Sequence, residues 1–300
     1  TCRRASSGSY HAVVNPWTLR RIVAYAHQGG AWESPSSTLF AIHRAIDAGA
    51  TAIELDVHAT ADGELVVSHD ATVDRTTNGT GAIADLSLAR LKELDNAYWF
   101  IPGADVTPGR PPADYPYRGR AVTDNDFRIA TLREVLQTFP GVVLNLDIKQ
   151  TAPVVAPYEA SLAQLLVEFD RHDDVIVASF LDTATESFAR LGTGIPTSAG
   201  TLATAEFWRA VHDGSEPPAI DAVAFQVPER RGDLIVVDDL FVAAAHRHGI
   251  AVHVWTINDE LSMERLVRAG VDGIISDVPT TLSTVLARHR AAWSGLATEA

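Results

Sequence analysis

The order of apolar runs predicts an α/β chain folded as a TIM-type (β/α)8 barrel with a small inserted lid segment. Three observations carry this expectation. Strand-like runs alternate with helix-like periodic stretches, a pattern that calls for a parallel sheet. Eight such units remain once one short antiparallel excursion is set aside, the number of a closed barrel. No glycine-rich dinucleotide fingerprint follows the first run, where AHQGGAW offers only Gly29 and Gly30. An open doubly wound sheet is therefore the weaker alternative.

The strands are expected at 21–26, 51–57, 142–148, 174–179, 197–200, 222–226, 251–255 and 273–275. Helical periodicity follows most of them, at 37–48, 156–169, 184–190, 203–212, 238–248, 260–269 and 279–289. Ser37, Asp182, Asp238 and Asn258 are the residue types that cap helix N-termini. A ninth strand-like run, 65–68, follows the second strand after only 59–64, with Asp62-Gly63 as a turn signal. Parallel neighbours need a crossover of a dozen or more residues. The run at 65–68 is thus an antiparallel excursion in the loop after strand two.

One segment, about 95–129, breaks the rhythm. It holds Pro102, Pro108, Pro111, Pro112 and Pro116 with Tyr98, Trp99, Phe100, Tyr115 and Tyr117. It is too long for a βα loop and too aromatic for a free linker, and is expected to be a lid over one barrel end. The domain plan is an N-terminal extension (1–20), a barrel (21–290) carrying the insertion, and a short tail (291–300).

Composition narrows the function. A chain of 300 residues with 46% hydrophobic and 21% charged residues is that of a soluble enzyme. No run reaches the length of a membrane span, so no stable membrane insertion is expected. The net charge of −14 repels nucleic-acid phosphates and anionic headgroups, so nucleic acid is not an expected partner and an anionic ligand needs a local cation. Only Lys92 and Lys149 are lysines, against 22 arginines. The lone cysteine, Cys2, cannot form an internal disulfide. Thr1-Cys2-Arg3-Arg4 has no apolar stretch behind it, and Thr1 is a residue after which an initiator Met is trimmed. The chain reads as nearly complete, cytoplasmic and bacterial, with export as the alternative.

The chemistry gathers at the expected carboxyl ends of the strands, where barrels of this class hold their functional groups. Glu54 and Asp56 lie two apart in TAIELDV, so they share one face of a buried strand. Two adjacent buried carboxylates are costly unless a cation lies between them. Asn145, Asp147 and Lys149 share a face of LNLDIK. Glu54, Asp56 and Asp147 together make a hard, oxygen-rich set that suits one divalent cation, Mg²⁺ or Ca²⁺, better than Zn²⁺. The alternative is a ring of carboxylates paired with arginines. Of 11 histidines, His27 ends strand one and His69 ends the excursion, and both stand as candidate proton carriers. His253 shares a face with Trp255, lining the barrel mouth or filling the core, while His58 points opposite to Asp56.

AHQGG, PSST, AGATAIELDVHATADGELVVSHDATVDRTTNGTG, LNLDIK, VHVWTIND and GVDGIISDVP occur in this order. Together they resemble the glycerophosphodiester phosphodiesterase family over roughly residues 22 to 290. The resemblance implies a TIM barrel with a small insertion, and hydrolysis of glycerophosphodiesters to an alcohol and glycerol 3-phosphate. It implies a divalent cation on Glu54, Asp56 and Asp147, and His27 and His69 as the acid/base pair. Three positions depart from the family pattern: Gln28 replaces the usual Arg, Ser36 stands in place of a Glu, and Asp147 stands where Glu is commoner.

The expected reaction has Lys149 and Gln28 on phosphoryl oxygens, Trp255 and the lid aromatics against the glycerol or the alcohol, and a small-molecule phosphodiester as partner. The nucleophile is water or the neighbouring glycerol hydroxyl. The alternatives are a phosphodiesterase for lysophospholipids or sphingomyelinase-D-like substrates, and a non-catalytic phosphodiester-binding barrel.

Overall fold

The computed structural model describes residues 15–19, 21–104 and 106–293. Thr1, Cys2 and the far end of the tail lie outside them. Seven parallel strands make the barrel wall: β1 (Val23–His27), β2 (Ala52–Ala59), β4 (Val143–Ile148), β5 (Val175–Ala178), β6 (Ala224–Pro228), β9 (Ala251–Trp255) and β10 (Gly273–Ser276). Their order is β5-β4-β2-β1-β10-β9-β6. β3 (Leu65–Val67) pairs antiparallel with the end of β2, as its short connection requires.

The eighth position is held by a frayed segment. Residues 197–200 form no named strand, but single parallel bridges join Thr197 to Val177 and Ser198 to Ala224. Four backbone hydrogen bonds, between Val177 and Pro196, Ser198 and Val177, Ala199 and Ala224, and Val223 and Thr197, close the wall there. Pro196 has no N–H to give and Gly200 carries no side chain to pack, so the ladder stops after two residues. The expected eight-stranded barrel is therefore seven strands plus this seam.

Alternation along the strands sorts the core. On β2, Ile53, Leu55 and Val57 point outward into a layer with Leu132, Val135, Leu162 and Leu166 of the surrounding helices. A second outer layer, around Phe207, Phe225, Phe241, Val252 and Leu282, covers the other half of the wall. Inside the barrel, Val23, Tyr25, Ala52, Val143, Ile176 and Ala251 make a separate apolar plug with Trp17. These are the early inward positions of their strands, and the later ones are His27, Glu54, Asp56, Asn145 and Asp147. The interior is thus apolar at its amino end and polar at its carboxyl end.

Several boundaries moved for physical reasons. The helix expected from Ser37 is Leu39–Asp47, capped by Thr38, whose hydroxyl oxygen accepts from the Ala41 N–H. Ser37 instead takes a left-handed φ of 57°. Asp238 caps Asp239–Arg247 as expected, whereas Asp259, next to Asn258, caps Glu260–Ala269. Asp182 lies inside its own helix, and its carboxylate accepts from the N–H groups of Leu202 and Ala203, capping the following one. The helix Leu132–Thr138 is new. It opens on a capping box of Thr131 and Glu134, and it is only seven residues long, too short for periodicity to reveal beside the insertion. A two-residue turn at Gly232-Asp233 joins β7 (Arg230–Arg231) to β8 (Leu234–Ile235), a hairpin that was also unexpected.

Described residues on either side of the barrel strands pack against the wall. Pro16–Leu19 is a helical turn, and Asn15 donates from Nδ2 to the carbonyls of Val223 and Gly249, at 2.7 and 2.8 Å. The start of the tail bridges β1 through Ile22 and Ala292. No helix among the described residues is long and apolar enough to cross a membrane.

His253, fully buried, lies against Tyr25 and Trp17 with ring centroids 5.2 and 6.2 Å away. It fills the core. Gly273 on the neighbouring strand makes room for it: a Cβ there would stand 2.7 Å from the imidazole and 3.0 Å from the Tyr25 ring. Gly273→Ala should destabilise the fold by about 1–3 kcal/mol through overpacking, seen as a lower urea midpoint with an unchanged m-value. An unaltered midpoint would mean that the interior yields more easily than its packing implies.

Candidate active site

Strand register assembles the site. β1 and β2 set His27 beside Glu54, and β2 and β4 set Glu54 beside Asn145 and Asp56 beside Asp147. Together with His69, Lys149 and Trp255, these residues line a cavity of about 670 Å³ at the carboxyl end of the barrel. Glu54, Asp56 and Asp147 are 5%, 1% and 7% exposed, and three carboxylates so deeply buried need a countercharge. Lys149 Nζ supplies one, 2.9 Å from Asp56 Oδ1 and 3.3 Å from Asp147 Oδ2. The carboxylates thus pair with a lysine where the sequence alternative expected arginines. Burial first, and then the charge of Asp56, still push the Glu54 carboxyl well above the usual range. Burial also raises Asp147, against the pull of Lys149.

The two histidines face each other at the same end, with ring centroids 6.1 Å apart and planes at 83°. Each is anchored through Nδ1 by its own carboxylate. His27 Nδ1 lies 2.6 Å from Asp277 Oδ1, and Asn258 Nδ2 donates to the other oxygen of Asp277 at 2.7 Å. His69 Nδ1 lies 2.7 Å from Asp70 Oδ1. Arg75 holds Asp70 from behind with Nε and Nη2, at 2.6 and 3.1 Å. These bonds fix the orientation of both rings. Burial works against a charge on His27, but the hydrogen bond to Asp277 and the charges of Glu54, Asp277 and Asp56 outweigh it and lift its pKa to about 9. The hydrogen bond from His69, reinforced by Arg75, holds Asp70 below the usual carboxylate range.

Two buried carboxylate oxygens, Asp56 Oδ2 and Asp147 Oδ1, have no hydrogen-bond partner among the described residues. Such orphans are costly, and on all-oxygen donors they fit a hard divalent cation. As the side chains stand, no three His, Cys, Asp or Glu groups among the described residues are gathered tightly enough to form a ligand set. A cation held here would have to share or displace the position of Lys149 Nζ.

The other expected site residues divide. Trp255 lines the cavity, its ring edge-on to Phe180 at 5.3 Å. Gln28 does not face the cavity. It is 4% exposed with φ at 54°, and its side-chain nitrogen lies 3.1 Å from His27 Nε2. Its amide suits both states of that ring, donating to a neutral Nε2 or accepting from a protonated one. The segment 95–129 packs on itself and on the helix Leu39–Asp47, with Phe127 against Tyr117 (5.4 Å) and against Phe40 of that helix (4.5 Å), and the Arg118 guanidinium over Tyr98 and Tyr115 (4.2 and 3.8 Å). It braces the loops at the carboxyl end, where Asn96 Nδ2 donates to the Ser36 carbonyl and Trp99 Nε1 to that of Thr77. None of its described residues is among those that line the cavity wall.

Sequence reasoning missed Asp277, Asn258, Asp70 and Arg75. Two signals were available. Asp277 directly follows a barrel strand, the criterion that selected His27, and Asp70 directly follows His69.

The chain matches the model of the glycerophosphoryl diester phosphodiesterase family over residues 27–281. It is 30% identical over 267 residues to a glycerophosphodiester phosphodiesterase of Caldanaerobacter subterraneus, covering 87% of this chain and 96% of that one. A Bacillus subtilis glycerophosphodiester phosphodiesterase is 30% identical over 266 residues, 86% of this chain and 84% of its own. Among solved structures, the glycerophosphoryl diester phosphodiesterase domain of a Mycobacterium tuberculosis protein superposes with a TM-score of 0.73 at 20% identity, over 90% of this chain and 100% of that one. An Oleispira antarctica phosphodiesterase in complex with the product sn-glycerol-3-phosphate gives 0.68 at 24%, over 90% and 98%. At these identities the structures speak for the barrel, while the family model and the sequence relatives speak for descent: the chain belongs to the glycerophosphoryl diester phosphodiesterase family.

Proposed function

We propose that this glycerophosphodiester phosphodiesterase cleaves its substrate to an alcohol and glycerol 3-phosphate by proton transfer between His27 and His69. One observation carries the reading: two imidazoles face each other across a floor of carboxylates, each locked through Nδ1 to its own aspartate. Their ring centroids lie 6.1 Å apart with planes at 83°, and both rings border the cavity beside the carboxylates, so one phosphoryl group in that cavity is within reach of both. One Nε2 takes the proton of the nucleophile, a water or the neighbouring glycerol hydroxyl. The other gives a proton to the departing alcohol oxygen.

Lys149 Nζ, already among the carboxylates, holds a phosphoryl oxygen by charge and hydrogen bond. Glu54, Asp56 and Asp147 would hold one divalent cation, Mg²⁺ or Ca²⁺; when bound, it supplies Lewis-acid stabilisation of charge at the phosphoryl oxygens. Asp277 and Asp70 keep both rings in the orientation that aims Nε2 inward. Gln28 acts on the reaction through His27. Trp255 and Phe180 shape the wall against which the organic part of the diester rests.

His27→Ala and His69→Ala should each lower kcat on a glycerophosphodiester by at least about a hundredfold, the low end for acid–base catalysis. Near-normal turnover by either variant would remove that residue from the mechanism. EDTA should abolish hydrolysis, and Mg²⁺ or Ca²⁺ should restore it and raise Tm; full activity in the chelator would dismiss the cation. Gln28→Arg should lower kcat on glycerophosphodiesters by about tenfold, because a guanidinium beside His27 Nε2 cannot accept its proton and disfavours the protonated ring, whereas the amide suits both states. A raised kcat/KM would instead place residue 28 on the substrate's phosphoryl group.

A further inference from the structure

The cavity extends well beyond the catalytic groups. From Asp147 and Lys149 it runs past Phe180 and Trp255, along the helix Thr201–Asp213, to the β7–β8 hairpin. That helix has two working faces. Phe207 and Val211 point into the core. Thr201, Thr204, Ala205 and Trp208, spaced as one helical stripe, line the cavity. Three of these four are small, so the stripe forms one side of an open trough. Trp208 is fixed by donating from Nε1 to the Val236 carbonyl at 3.0 Å, which ties the helix to the chain leaving the hairpin. Val227, Leu234 and Val236 complete an apolar opposite side.

The charge pattern of this arm is one-sided. Among the described residues, the acids that line the cavity are Glu54, Asp56 and Asp147 at its catalytic end. At its outer end stand Arg230 and Arg231, both exposed and without an ion-pair partner among the described residues. The arm therefore has no carboxylate for a quaternary ammonium, and a small polar alcohol would leave its apolar walls wet. Leu234 and Ile235, each 46% exposed, open it to solvent, so a ligand longer than the trough can run out of the protein.

We propose that this arm binds the single acyl chain of a monoacyl glycerophosphodiester, making lysophospholipid diesters the preferred substrate class. The proposal rests on the diester hydrolysis described above and specifies the glycerol side: the bond from phosphorus to the alcohol oxygen breaks, that oxygen takes the proton, and the products are the free alcohol and a monoacylglycerol 3-phosphate in place of glycerol 3-phosphate. The acyl chain covers Ala205, Trp208, Val227 and Leu234, while the phosphoryl group stays at Lys149 between the two histidines. The groove begins at the catalytic carboxylates and is continuous with them, which is what a chain covalently attached to the reacting diester requires. The groove is built by the helix Thr201–Asp213, the end of β6 and the β7–β8 hairpin.

The test measures kcat/KM on glycerophosphoethanolamine and on its 1-acyl derivatives with a six-carbon and a ten-carbon chain, all below the critical micelle concentration. Burial of each methylene is worth about fourfold, so the ten-carbon substrate should exceed the unacylated one by at least about thirtyfold. Ala205→Trp and Thr204→Trp, which fill the trough, should bring that ratio to within about twofold of unity. Rates independent of chain length, with ready turnover of the unacylated diester, would overturn the acyl site and leave the phosphodiesterase reading standing. Calorimetric titration of the His69→Ala protein with the ten-carbon and unacylated compounds examines the arm without turnover. Equal affinities would overturn the acyl site even if no diester is cleaved, and at least tenfold tighter binding of the acylated compound would support it.

Discussion

The burial of Glu54, Asp56 and Asp147 side by side is the constraint on which the rest of the site depends. Carboxylates in an apolar barrel lose their hydration, and each raises the cost of ionising the next. The chain answers with cationic groups in fixed places. Lys149 bridges Asp56 and Asp147. His27 Nε2 stands 3.8 Å from Glu54. Two oxygens still lack a partner among the described residues, so the arrangement retains an attraction for positive charge. An overall charge of −14 makes that local concentration of cations necessary for any anionic substrate to approach.

Strand alternation explains how such a group survives inside a stable fold. Along β2, the residues facing outward are Ile53, Leu55 and Val57, and they anchor the strand in the helical layer. The intervening positions can then change from Ala52 to Glu54 to Asp56 without disturbing that layer. The same gradient recurs on β1, from Val23 and Tyr25 to His27, and on β4, from Val143 to Asn145 and Asp147. Apolar packing at the amino end, including Trp17 and His253, carries the stability. The carboxyl end is left free to hold groups that are costly to bury.

Much of this was legible in the sequence, because period-two patterns report directly on which side chains share a face. The placement of His27, Glu54, Asp56, Asp147 and Lys149 follows from three short runs and the rule that strand ends carry function. What stayed hidden depends on contacts between distant segments. That Asp277 would meet His27, 250 residues away, requires β10 to lie beside β1, which no local pattern states. Gln28 looked like a ligand-facing residue, yet its backbone is left-handed and its buried amide lies against His27 Nε2. The insertion at 95–129 looked like a lid because it is aromatic. Its rings are consumed by one another and by Arg118, and a cluster satisfied internally has little surface left for a substrate.

The frayed eighth strand and the long cavity are two sides of one fact. A full strand at 197–200 would place alternating side chains into the barrel and complete the wall between β5 and β6. Pro196 and Gly200 limit the ladder to single bridges on either side, and Ser198, Ala199, Gly200 and Thr201 line the cavity. The helix that follows starts directly at Thr201, so its small-residue stripe lies where a longer strand and its loop would otherwise stand. Gly200 itself is held against Asp182, whose carboxylate would lie 2.5 Å from any Cβ added there. The same carboxylate caps the helix it admits. The seam is thus fixed by specific contacts, and the trough beside the catalytic groups is a consequence of how this barrel closes.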